Sequence, residues 1–133
     1  MQGGDSCRLI ALNLFNFIEN PFSKNAKFKY KLFYETTYEA QRLMDDLVDL
    51  ALEAIERILG KVASDSEPDY IKQVEVETWK LLYDAGKKGR RTGLGFTALG
   101  DTLAALGHKF DSAEGIAEVE KIMKSKCEAE FDS

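Results

Sequence analysis

Between Cys7 and Ile18 the chain reads CRLIALNLFNFI, and apolar side chains occupy both alternating faces. Leu9, Ala11, Phe15 and Phe17 fall on one side, and Ile10, Leu12, Leu14 and Ile18 on the other. A period of two with neither face polar predicts a strand over 7–18 buried on both sides, as in parallel sheets covered by helices. Only one other stretch reads as a strand, around 93–97, so the first strand is expected to lack most of its neighbours.

The rest of the pattern is helical. Asn20-Pro21 ends the apolar run, and residues 23–31 read as a polar connection. Over 32–59 the residues Leu43, Leu47, Ala51, Ala54, Ile55 and Ile58 recur at spacings of three and four, with Gly60 placed to stop the helix. Ser66, Pro68 and Asp69 make a start signal for a helix over 67–86, with Ile71, Val74, Thr78 and Leu82 on its apolar face and Trp79 flanking it. GKKGRRTGLG at 86–95 breaks the pattern. Helices over 98–106 and 112–131 follow. The first carries Leu99, Leu103 and Leu106, and the second a stripe of Ile116, Val119, Met123, Cys127 and Phe131 behind an Asp111/Glu114 start. The chain is therefore expected to be mainly α with one or two buried strands.

Composition narrows the class. The 133 residues are 44% hydrophobic and 31% charged, and no apolar run reaches the ~20 residues a membrane helix needs, so no membrane role is expected. The N-terminus lacks a basic stretch followed by an apolar one, which leaves a cytoplasmic setting as the expectation. A net charge of −5 argues against a broad phosphate-binding surface, so nucleic acid is not an expected partner. The two cysteines, Cys7 and Cys127, have no metal-ligand spacing and are expected as thiols in a reducing compartment.

Few residues offer chemistry. Cys7 begins the strand beside Arg8, and a guanidinium near its sulfur would favour the thiolate; the alternative is a small hydrophobe in a core. Cys127 lies on an apolar stripe and reads as structural. Asp45, Asp49 and Glu53 step by four with Asp46 beside them, but no Glu-x-x-His pair completes a metal site and the only histidine, His108, follows Gly107, so no metal is expected. Gly93-Leu94-Gly95 has Ala98 where a dinucleotide fingerprint needs glycine, and no Gly-Lys-Ser/Thr follows. The glycines read as a tight crossover, with the basic residues at a helix C-terminus where the dipole favours them.

Three blocks taken together carry more. SCRLIALNLFNFIENPF at 6–22, AQRLMDDLVDLALEAIERIL at 40–59 and GRRTGLGFTALGDTLAALG at 89–107 resemble consecutive blocks of the class II ribonucleotide reductase catalytic chain, in order and interval. The resemblance implies a segment of a ten-stranded α/β barrel, incomplete at both ends, in an enzyme that makes deoxyribonucleotides for DNA synthesis. It also implies adenosylcobalamin (vitamin B12) as the source of a thiyl radical in the complete enzyme, though not bound by this segment alone. Cys7 stands where the family keeps one member of a redox-active dithiol. The family's radical cysteine, in an Asn-Pro-Cys-Gly-Glu stretch shortly before that position, has no counterpart here, nor does the cysteine that pairs with Cys7. The implied partners are the remaining barrel segments, a nucleotide substrate and a thioredoxin-like or other dithiol reductant. Alone, the chain is expected to be inactive. The alternatives are a non-enzymatic helical module or relic derived from such a gene, and a piece of the iron-dependent class.

Overall fold

The computed structural model describes residues 3–133. In chain order the elements are strand β1 (Arg8–Asn13), a 3-10 turn (Leu14–Phe17), β2 (Ile18–Glu19), β3 (Lys27–Phe28), helix α1 (Tyr30–Ser64), α2 (Asp69–Gly89), β4 (Thr92–Thr97), α3 (Leu99–Ala105) and α4 (Ala113–Asp132). Two compact units divide the chain. One holds the residues up to Leu9 together with Leu43–Gly93, and the other Ile10–Arg42 with Leu94–Ser133, so β1, α1 and β4 each pass through both. Among the described residues the sheets are two-stranded, β1 with β4 and β2 with β3, and no barrel closes. No described helix is long and apolar enough to cross a membrane.

The apolar run at 7–18 is not one strand. Asn13 accepts a hydrogen bond from the Phe15 backbone N–H at 3.1 Å, caps the 3-10 turn, and so ends β1 after six residues. Ile18 and Glu19 then pair antiparallel with Phe28 and Lys27, inside the stretch read as a polar connection. Nor is β1 covered on both faces. Arg8, Ile10 and Leu12 are partly buried, whereas Leu9 is 76% exposed and Ala11 and Asn13 are exposed with it. The pairing with β4 steps in one direction along both strands. Arg8 N–H donates to Arg91 O at 3.0 Å, a Cβ on Gly93 would meet Leu9, and Ile10 O lies nearest Gly95. That is the sense of a parallel pair, joined here by two long helices.

The unit holding α3 and α4 owns an aromatic core. Leu14, Phe17, Ile18, Phe28, Phe33, Ala105 and Ile122 are buried together. Phe33 meets Phe17 and Phe28 edge-on, with ring centroids 5.1 and 5.4 Å apart. Tyr30 Oη donates to Glu118 Oε1 at 2.6 Å and Tyr34 Oη donates to Asp132, tying the start of α1 to α4. The last helix turns differently from the expected stripe. Gly115, Ile122, Lys126 and Ala129 are buried, while Ile116, Cys127 and Phe131 are exposed. Lys126 tolerates burial because Glu130, one turn on, takes its ammonium at 2.6 Å. The N-cap is Ser112, whose hydroxyl accepts from Gly115 N–H, rather than Asp111.

In the other unit the buried face of α1 is Met44, Val48 and Leu52, one position round from the expected Leu43, Leu47 and Ala51; Leu43 and Leu47 are exposed. Gly60 does not stop this helix, which runs on to Ser64, where the Ser64 hydroxyl donates back to Lys61 O. Ser66 does not cap α2 either; its N-cap is Pro68, with no side-chain bond. The helix continues past Gly86 to Gly89 and ends on Arg90 in a left-handed conformation. Ala98, also left-handed at φ 62°, opens α3 directly after β4 (Thr92–Thr97).

Candidate functional site around Cys7

Cys7 is the residue before β1, half-buried and unpaired as a thiol. Its Sγ donates a long hydrogen bond, 3.9 Å, to the carbonyl oxygen of Arg8. By the alternation of the strand it shares the exposed face with Leu9, while Arg8 turns to the opposite face. There Arg8 lines a cavity of about 300 Å³ with Val48, Ala51, Leu52, Ile55 and Leu82, and its Nη1 donates to Ser6 Oγ at 2.6 Å. The guanidinium is thus aimed away from the Cys7 sulfur, and activation by Arg8 has no geometric support.

Across from Cys7 lies Gly93. A Cβ there would stand 2.8 Å from Leu9 Cδ2 and 3.7 Å from Cys7 Sγ, so the missing side chain is what lets both lie flat over β4. The segment before Cys7 is also pinned. Gly4, at φ 80°, lies against Leu81 and Leu82 of α2. Asp5 has a side chain only 3% exposed, and its carboxylate accepts from Arg91 Nε and from Ser6 N–H. Burying a carboxylate is costly unless a cation and hydrogen-bond donors meet it, and Asp5 has both. Reading along the chain finds neither Asp5 nor Arg91 as a pair, because they are separated by 86 positions. Parallel pairing of β1 with β4 is the one signal that brings their starts together.

The remaining candidates go elsewhere. Arg90 of the glycine-rich stretch donates to Asp49 and Asp45 of the acidic row on α1, so the basic run meets carboxylates of this chain rather than an open anion cradle. His108 is a loop residue whose N–H donates to Leu103 O. Among the described residues no group of histidine, cysteine and carboxylate side chains is placed to hold a metal ion. Cys127 is exposed on α4 and is not a core residue.

A half-buried thiol at the head of a parallel strand, with Gly93 opposite it, can exchange with a disulfide once a partner reaches it. No curated protein and no solved structure matches the chain. The family model described as ribonucleotide reductase, barrel domain, matches residues 3–126, and the chain belongs to that family.

Proposed function

We propose that the chain is a segment of the catalytic subunit of an adenosylcobalamin-dependent ribonucleotide reductase, with Cys7 as one member of the dithiol that reduces the substrate. Two thiols give up two electrons and two protons as they close a disulfide; the nucleotide exchanges its 2′ hydroxyl for hydrogen and the oxygen leaves as water. The observation that supports the reading is the placement of Cys7, a half-buried thiol, at the head of a parallel strand opposite Gly93. Parallel strands bare on one face belong in larger sheets, which favours a segment of a barrel over a free-standing helical module.

The residues present do not make a site for the cobalamin. The cavity behind β1 holds about 300 Å³ and is walled by α1 and α2, whereas a corrin with its adenosyl and nucleotide arms is several times larger. Binding of that group, and the radical chemistry it supplies, falls to other parts of the enzyme. What this chain contributes is a positioned thiol, and one thiol cannot reduce a ribose by itself. Alone, it makes no deoxynucleotide.

The test uses the complete reductase. Cys7→Ser should abolish multiple turnover driven by a dithiol while a cobalamin-dependent radical signal still forms. Full turnover by the variant sinks the assigned role, and full activity without cobalamin, supported by a radical-generating protein partner, moves the chain to the iron-dependent class.

A further inference from the structure

The hydrogen bond from the Cys7 sulfur to Arg8 O is long, 3.9 Å, and gives the side chain little hold of its own. What places it is the backbone on either side, and both sides are gripped by the same residue. Two positions before Cys7, the Asp5 carboxylate is bound by the Arg91 side chain; one position after it, the Arg8 N–H donates to the Arg91 carbonyl at 3.0 Å. Ser6, between them, gives its N–H to Asp5 Oδ1 at 2.9 Å and accepts from Arg8 Nη1 at 2.6 Å. These bonds form a closed bracket around Cys7, hung on Arg91 at the start of β4.

We infer that Arg91 is the positioning residue for Cys7, setting where the thiol stands and when it can reach another sulfur. This rests on the dithiol role proposed above. Arg91 acts through Asp5, which its side chain binds. Because the Asp5 side chain is 3% exposed, loss of the Arg91 guanidinium leaves a buried carboxylate without a cation, and the segment relieves it by swinging Asp5 out to water. Cys7, two residues on, moves with it. The backbone carbonyl of Arg91 remains in every variant, so the β1 side of the bracket should persist and the change should be confined to the residues before β1. A lysine at 91 keeps the charge within reach of Asp5 but loses the planar fork, and should restore most of the placement.

The experiment has two arms. In the chain carrying Cys127→Ser, the rate of Cys7 alkylation by iodoacetamide is followed by intact mass. Arg91→Ala should raise it at least fivefold, with Arg91→Lys within twofold of the parent. In the complete reductase, Arg91→Ala should lower dithiol-driven turnover at least tenfold with the nucleotide KM within twofold, and Arg91→Lys should recover most of it. Parent-like alkylation and turnover in Arg91→Ala overturn the inference. Should Arg91→Ala lose its helical circular dichroism, Asp5→Ala, which removes the carboxylate that Arg91 binds, takes its place. It should show the same acceleration, and a parent-like rate overturns the inference equally. Full turnover by Cys7→Ser instead overturns the dithiol role, and the alkylation arm still decides whether Arg91 positions the thiol.

Discussion

Arg90 sits in the left-handed region at φ 39° with its Nη1 2.7 Å from Asp49 Oδ1. Its Nε reaches Asp45 Oδ1 at 2.8 Å, so one guanidinium spans two carboxylates a turn apart on α1. A residue with a Cβ is strained at this φ, and ending α2 there rather than on a glycine puts a clasp where a flexible cap would otherwise be.

Arg90→Gly and Arg90→Ala separate strain from clasp. Both lose the bonds to Asp45 and Asp49, but only glycine also removes the left-handed strain. Thermal unfolding should therefore rank Arg90→Gly above Arg90→Ala in Tm. Equal midpoints would mean that the conformation at 90 is unstrained. Asp49 adds a pH signature. The hydrogen bond from Arg90 holds its carboxyl below the ordinary value of 3.8, against a smaller opposing effect of desolvation. A depressed folded-state pKa contributes stability at pH above the unfolded value and loses it as the pH falls through the folded one. The deficit of Asp49→Asn should be full at pH 6 and shrink as the pH drops below the ordinary carboxylate range. Both groups are exposed, so 1 M salt should shrink it too.

Gly115 and Gly60 are both helical glycines and should respond oppositely to alanine. A Cβ on Gly115 would stand 2.5 Å from the Lys109 carbonyl oxygen and 3.3 Å from Ser112 Oγ, in the first turn of α4. Backbone cannot yield as a side chain does, so Gly115→Ala should destabilise by about 1 to 3 kcal/mol. Nothing lies within 4 Å of a Cβ on Gly60, which is exposed and helical near the C-terminal end of α1. Gly60→Ala should stabilise by about 0.5 to 1 kcal/mol. Urea unfolding of the two variants checks both signs, and destabilisation by Gly60→Ala would place a helix break where the structure has none.

Tyr30 links the head of α1 to α4 through Glu118, whose side chain is only 13% exposed. Desolvation, then the hydrogen bond to Glu118 and its negative charge, push the Tyr30 phenol well above its ordinary value of 10.0. Tyr30→Phe should cost about 1 kcal/mol at pH 7, the net worth of such a bond. A raised folded-state pKa means that this contribution is complete below pH 10 and is lost as the pH rises toward the folded value. The gap between parent and Tyr30→Phe should therefore narrow above pH 10. A gap that widens with alkali would mean that the bond forms to the phenolate.

The positions of the helices could be read from the chain, and on α3 the face as well, since Leu103 is buried and Leu99 and Leu106 pack against the core, but on α1 and α4 the face could not. On α1 the leucines at 43 and 47 outweigh Met44 and Val48 in any hydropathy pattern, yet it is Met44 and Val48 that are buried. Periodicity locates an apolar stripe to within a residue's rotation of about 100°, and tertiary packing chooses within it. The exposed Leu43, Leu47 and Leu50 remain as apolar surface. At the strand the failure has another cause. Asn13 reads as a neutral position between Leu12 and Leu14, and only its side-chain bond to Phe15 N–H reveals a break. Cys7 was singled out by the resemblance of its block, and its role is the proposal tested above. Its bracket was not, because Asp5 and Arg91 look like ordinary surface charges until the two strand starts are adjacent.

Cys127 gives the last prediction, since the apolar spacing at Ile116, Val119, Met123 and Phe131 puts it in a core and the structure puts it at the surface. The buried line of α4 runs through Ile122, Lys126 and Ala129, so Cys127 is turned outward by one position. Cys7 is half-buried, with Gly93 beneath it and the Asp5 bracket before it. Access therefore favours Cys127. Brief treatment of the native chain with iodoacetamide, followed by peptide mass analysis, should find Cys127 modified severalfold faster than Cys7, with the two rates converging in 6 M guanidinium. A faster Cys7 in the native chain would mean that its strand end is more open than the Arg91 bracket allows. A Cys127 protected until denaturation would restore the stripe expected from the spacing and rotate α4 by about 100°, one residue's turn.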